Sequence, residues 1–113
     1  MAVIYNKIAI IGMGLIGASI ARASRRAGLA TVLAGYDADP TVMLDVAALQ
    51  LVDEVANSPA AAVADADLVI MAVPVGVVGV VAETIVPHMK PGAVLTDTGS
   101  TKRSVLRDVA PHI

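Results

Sequence analysis

The 113-residue sequence predicts an α/β fold, a doubly wound, mostly parallel sheet of about five strands with helices on both faces. Three observations carry that expectation. Apolar runs alternate with helix-like segments along the whole chain. The first apolar run is continuous rather than alternating, as in a strand buried on both faces. The composition is 57% hydrophobic but only 2% aromatic, with 21 Ala, 18 Val, no Phe and no Trp. Such a core must consist of thin, closely packed layers, because no bulky rings are available to fill space between them.

The first strand is expected over Lys7 to Ile11, followed by a helix from Leu15 to Ala27. Ile16, Ile20, Ala23 and Ala27 recur at helical spacing and are expected to face the sheet, with Arg22, Arg25 and Arg26 turned away and Gly28 as the stop. The second strand is Val32 to Tyr36. Asp39 then reads as an N-cap and Pro40 as the first residue of a helix reaching Leu49. Val52 to Val55 is a short third strand, and Pro59 to Ala64 a short alanine-rich helix. Leu68 to Val73 reads as a fourth strand ended by Pro74, and Val77 to Val86 as the next helix, closed by Pro87 and the turn Lys90-Pro91-Gly92. A fifth strand, Ala93 to Thr96, precedes a last helix from Ser100 or Thr101 towards Val109. Pro111-His112-Ile113 has the look of a cut rather than a natural end.

Several function classes are excluded at this level. The absence of cysteine removes disulfides, thiolate zinc sites and cysteine nucleophiles. Eight basic and ten acidic residues give a net charge of −2, and the bases form no stripe, so nucleic acid is not an expected partner. The longest uncharged run, Leu68 to Ala82, has 15 residues and is broken by Pro74, Gly76 and Gly79. A membrane span needs roughly 20 apolar residues. The apolar stretch Ile8 to Ala21 imitates a signal peptide but is interrupted by three glycines. The expectation is a soluble, cytoplasmic protein. His, Asp and Glu form no cluster with metal-ligand spacing, and His88, near a helix C-terminus, reads as a solvated cation.

The chemistry concentrates in Gly12-Met13-Gly14-Leu15-Ile16-Gly17, a G-x-G-x-x-G run between strand and helix. Gly12 permits the tight turn, Gly14 lets a pyrophosphate approach the backbone, and Gly17 lets the helix pack closely on the strand. The helix N-terminus offers amide hydrogens and a positive dipole end to phosphates. Asp37 ends the second strand 20 residues after Gly17, where a carboxylate accepts hydrogen bonds from the adenosine ribose. A turn-forming role in Tyr36-Asp37-Ala38-Asp39-Pro40 is the simpler alternative. Asp37 would repel the extra phosphate of NADP, and no arginine sits beside it, so NAD is the expected cofactor. Ala72, Val73 and Pro74 at the end of the fourth strand, and Thr98 after the fifth, are expected to complete the site at the switch point of the sheet. Ser100, Thr101 and Lys102 would face the nicotinamide side, although Ser100 or Thr101 could equally cap the last helix.

The segments IAIIGMGLIGASIARA, GYDADP, LVDEVA, DADLVIMAVPV and PHMKPGAVLTDTGSTK, in that order and spacing, closely resemble the N-terminal domain of prephenate/arogenate (cyclohexadienyl) dehydrogenases of tyrosine biosynthesis. The resemblance implies a Rossmann-type NAD-binding domain and an oxidative decarboxylation, in which hydride leaves the hydroxyl-bearing ring carbon of a cyclohexadienol and carboxylate loss with aromatisation follows. It also implies that Ser100 contacts the substrate hydroxyl and helps orient a catalytic histidine, and that the parent enzyme is a homodimer acting on prephenate or L-arogenate. In that family the histidine lies in a G-H-P segment beyond Ile113, and a helical domain supplies the substrate-carboxylate arginines. The expectation is therefore a nucleotide-binding domain over residues 1–113 that binds NAD without turning substrate over. Val75, Val77 and Val78 are candidates for a surface facing a second domain. The cofactor domain of another hydroxyacid or imine reductase, and a non-catalytic NAD-sensing module, are the alternatives.

Overall fold

A computed structural model describes residues 5–98. The expected last helix, with Ser100, Thr101, Lys102 and His112, lies outside the described residues. Five parallel strands form one sheet: β1 (Tyr5–Ile11), β2 (Ala30–Tyr36), β3 (Glu54–Val55), β4 (Leu68–Met71) and β5 (Val94–Asp97). Their order is β3-β2-β1-β4-β5, so the chain reverses its direction of winding between β1 and β4. Four α-helices connect them: α1 (Leu15–Ala27), α2 (Pro40–Ala48), α3 (Pro59–Val63) and α4 (Val78–Ile85), the last flanked by single turns of 3-10 helix. The doubly wound architecture is as expected.

β1 divides the core in two because successive side chains point to opposite faces. Ile8 and Ile10 pack with Leu33, Val46 and Val52 on the side covered by α1 and α2. Ala9 and Ile11 pack with Val69, Met71, Ala62, Val78, Ala82 and Ile85 on the side covered by α3 and α4. The helix caps read at Asp39 and Gly28 are present, and Ser58 supplies one more. Asp39 accepts the Thr41 N–H at 2.9 Å with Pro40 at the first helical position, and Ser58 accepts the Ala61 N–H at 3.1 Å ahead of α3. Gly28 ends α1 in the left-handed conformation.

The face of α1 is only partly the one expected, with Ile20 packed against the core. Gly17, Ala21 and Ser24 are buried against the sheet, whereas Ile16 is 56% exposed and Ala23 is exposed. The helix lies so near β1 that only small residues fit between them, and this closeness outweighs side-chain hydrophobicity. β3 is shorter than Val52 to Val55, because Leu51 and Val52 turn into the core and only Glu54 and Val55 join the sheet. β4 ends at Met71, and Ala72 to Pro74 are irregular with a bend at Val73. Val78 is fully buried in the core and so faces no second domain, while Val77 is 42% exposed.

At the N-terminal end of the sheet, Asp67 gathers three elements. Its carboxylate accepts the N–H groups of Asn6 and Lys7 at 2.6 and 3.1 Å and pairs with the Lys90 ammonium. Hydrogen bonding from Lys90, and then from the two backbone N–H groups, holds this carboxyl below the usual aspartate range. A lowered folded-state pKa contributes stability above the unfolded value and loses it as pH falls through the folded one. Asp67→Asn is therefore expected to melt several degrees lower than the parent at pH 7. The difference should shrink as the pH falls below the ordinary aspartate range, as thermal melts at descending pH would register.

Candidate functional site

The C-terminal ends of β1, β2 and β4 are tied into one rim by backbone hydrogen bonds. Gly12 N–H donates to the Tyr36 carbonyl at 2.7 Å, Ala72 N–H to Ile11 at 2.7 Å, and Thr98 N–H to Met71 at 3.1 Å. A cleft of about 540 Å³ opens over this rim, lined by Gly12, Gly14, Tyr36, Asp37, Ala72 and Val73 among others. It stands where a doubly wound sheet binds ligands, outside the carboxyl ends of the strands at the reversal of winding.

The three glycines of the loop have three separate reasons to be glycine. Gly12 has φ +98°, and a methyl group there would lie 2.5 Å from the Ala72 carbonyl oxygen. Gly17 packs on the loop itself, since a methyl group would fall 1.9 Å from the Gly12 carbonyl oxygen. At Gly14 a methyl group would meet no protein atom within 4 Å, so nothing in the fold requires glycine there. The open space before Gly14, beside the first amide hydrogens of α1 that have no intrahelical acceptor, fits a pyrophosphate.

Asp37 lines the same cleft with both carboxylate oxygens engaged by the backbone. Oδ2 accepts the Met13 N–H at 2.8 Å and Oδ1 the Asp39 N–H at 2.8 Å. The turn-forming role leaves room for a ligand role, because a carboxylate has about four acceptor positions and two remain. Ala38 lies next to it in the wall, and Asp39 is occupied as the cap of α2. A second cleft, of about 520 Å³, shares Tyr36, Asp37 and Ala38 and extends over Met43, Leu44 and Val55.

Of the other expected site residues, Ala72, Val73 and Pro74 line the first cleft. Leu15 and Ile16 are exposed beside it, and Thr98 is tied to the end of β4. The Met13 side chain turns away from the cleft into the core, only 3% exposed. Ser100 lies outside the described residues. His88 is exposed at the end of a 3-10 turn, away from the cleft lining. The far wall was not foreseen. It consists of Pro59 with Val77, Val80, Val81 and Thr84, which recur at helical spacing and present one apolar face of α4 and its leading turn. Among the described residues no helix is long and apolar enough to cross a membrane, and no group of three or more His, Asp or Glu could hold a metal ion.

Residues 20–113 match the family described as prephenate dehydrogenase, nucleotide-binding domain. The chain is 38% identical over 110 residues to a cyclohexadienyl dehydrogenase of Zymomonas mobilis, covering 97% of this chain and 38% of that protein. It thus spans well under half the length of this curated relative. Synechocystis arogenate dehydrogenase superposes with a TM-score of 0.85 at 29% identity, over 94% of this chain and 37% of that one. Prephenate dehydrogenase from A. aeolicus, solved with hydroxyphenyl propionate and NAD+, shares the fold with a TM-score of 0.80 at 24% identity, over 92% of this chain and 38% of that one. The chain therefore belongs to the prephenate dehydrogenase nucleotide-binding domain family.

Proposed function

We propose that this chain binds NAD in the cleft over Gly12, Gly14 and Asp37, as the cofactor domain of a dehydrogenase that oxidatively decarboxylates prephenate or L-arogenate. The observation that carries the reading is the open space before Gly14 at the N-terminus of α1, with the Asp37 carboxylate in the same cleft. Gly12, Gly14, Leu15, Ile16 and Gly17 shape or donate to the pyrophosphate site, and Met13 supports it from below. Asp37 takes the ribose hydroxyls, and Ala72, Val73 and Pro74 form the wall beyond. Thr98 borders the nicotinamide side, where Ser100 would contact the substrate hydroxyl. NAD, when bound, supplies the acceptor for the hydride. The family and the A. aeolicus complex support this reading, as does the greater length of the relatives, which leaves room for a substrate-binding and dimer-forming region elsewhere in a cytoplasmic parent enzyme.

Cofactor choice tests it. NAD is expected to bind more tightly than NADP, since the 2′-phosphate would meet the Asp37 carboxylate. Asp37→Ala should weaken NAD by roughly 10- to 100-fold, because charge-assisted hydrogen bonds are worth about 1.5–3 kcal/mol. NADP should be weakened less: it also loses the order that Asp37 gives the loop through Met13, but it escapes the repulsion. Calorimetric titration reads both. Equal affinity of the unmutated chain for the two cofactors would overturn the assignment of Asp37.

A further inference from the structure

Met13 is the buried exception in the run from Met13 to Ile16. Gly14, Leu15 and Ile16 are exposed, whereas Met13 is 3% exposed and belongs to the core cluster with Leu33, Val46, Leu51 and Val52. Its side chain stands over Gly35, the penultimate residue of β2. A methyl group at Gly35 would lie 3.0 Å from Met13 Sδ, 3.3 Å from Met13 Cγ and 3.1 Å from Val52 Cγ1. Gly35 has no positive φ, so space and not backbone conformation explains a glycine inside a strand, where it weakens the sheet. The space left by the missing side chain is filled by Met13 and Val52. Two further bonds grip the same stretch of loop: Gly12 N–H to the Tyr36 carbonyl at 2.7 Å and Met13 N–H to Asp37 Oδ2 at 2.8 Å. Gly35 and Tyr36 at the end of β2, with Asp37 just after it, thus hold two consecutive residues of the glycine loop.

We propose that Met13 is a positioning residue for nucleotide binding, a pin that docks the glycine loop on β2 and fixes the N-terminus of α1 over the cleft before any ligand arrives. The inference rests on the NAD reading of the cleft and adds a residue that touches no part of the nucleotide with its side chain. A loop already in its binding shape spares the ligand the cost of ordering it. When only a fraction of molecules is competent, apparent affinity falls by that fraction.

The test compares Met13→Ala, Met13→Leu and Gly35→Ala with Leu33→Ala, which removes packing from the same core cluster at a residue outside the loop. Without nucleotide, amide exchange at positions 12 to 14 should quicken in Met13→Ala and stay slow in Leu33→Ala. With NAD, Met13→Ala should raise Kd about tenfold, for a competent fraction near one tenth. Met13→Leu, of similar volume, should restore most of the affinity. Gly35→Ala, which presses on the same side chain with a single methyl, should raise Kd in the same direction, and serves as the test if Met13→Ala does not fold. Leu33→Ala should lose melting temperature at unchanged Kd. Equal Kd increases in Met13→Ala and Leu33→Ala would overturn the pin, as would an unchanged Kd in a folded Gly35→Ala or unaltered exchange in the loop. Failure of the unmutated chain to bind NAD would instead overturn the reading of the cleft, while the nucleotide-free exchange still decides the pin.

Discussion

Gly14→Val is expected to abolish NAD binding while the chain stays folded. Gly14 sits at φ −69° and ψ −158°, extended backbone open to any residue, and it makes no side-chain cap for α1 that could be lost. A methyl group there meets no protein atom within 4 Å, so the branched valine enters open space and not the core. That space is the approach path of the pyrophosphate to the amide hydrogens of α1. Each charge-assisted bond forfeited is worth about 1.5–3 kcal/mol, so losing two weakens binding by roughly 100-fold or more. The folding cost should stay below about 1 kcal/mol, in keeping with a helix N-cap that changes one uncapped residue for another. Calorimetry and a thermal melt on the same sample separate the two effects. A variant that unfolds would make Gly14 a packing glycine, and a folded one that binds NAD normally would mean the pyrophosphate does not approach there; either outcome removes the main support for the site.

The sequence reading reached the strands, their parallel order and the glycine loop because each leaves a local mark. Continuous apolar runs locate buried strands, Gly28 and Asp39-Pro40 mark helix ends, and the loop glycines are spaced by the turn they make. The side of α1 that meets the sheet left such a mark only at Gly17. Ile16 and Ala23 are more hydrophobic than Gly17 and Ser24, yet the latter pair is buried, because the distance between helix and strand selects for smallness. No count of apolar residues contains that distance. Val77, Val80, Val81 and Thr84 were visible as a helical face, but whether such a face covers a core or walls a cleft depends on β4 ending at Met71, two residues before the expected end. Met13 reads from the motif as a ligand contact, and only the empty place at Gly35, far along the chain, turns it into a support.

Gly17→Ala should do the opposite of Gly14→Val and cost the fold before it costs the ligand. The added methyl group would stand 1.9 Å from the Gly12 carbonyl oxygen and 2.9 Å from the carbonyl carbon. Both are backbone atoms, and the Gly12 N–H is held by Tyr36, so no flexible side chain can yield. Either α1 lifts away from β1 or the loop gives up its tie to β2. Overpacking in a core costs typically about 1–3 kcal/mol, and a clash with fixed backbone belongs at or above the top of that range. Small domains have roughly 5–15 kcal/mol in total, and each kcal/mol shifts the melting temperature by about 4–8 °C at this size. A fall of some 10–20 °C is expected, followed by circular dichroism, with Gly14→Val melting close to the parent in the same series. If Gly17→Ala instead melts within a few degrees of the parent, α1 and β1 are not in the close contact that sets the helix N-terminus over the cleft. The phosphate site would then have to be held by Met13 and Asp37 alone.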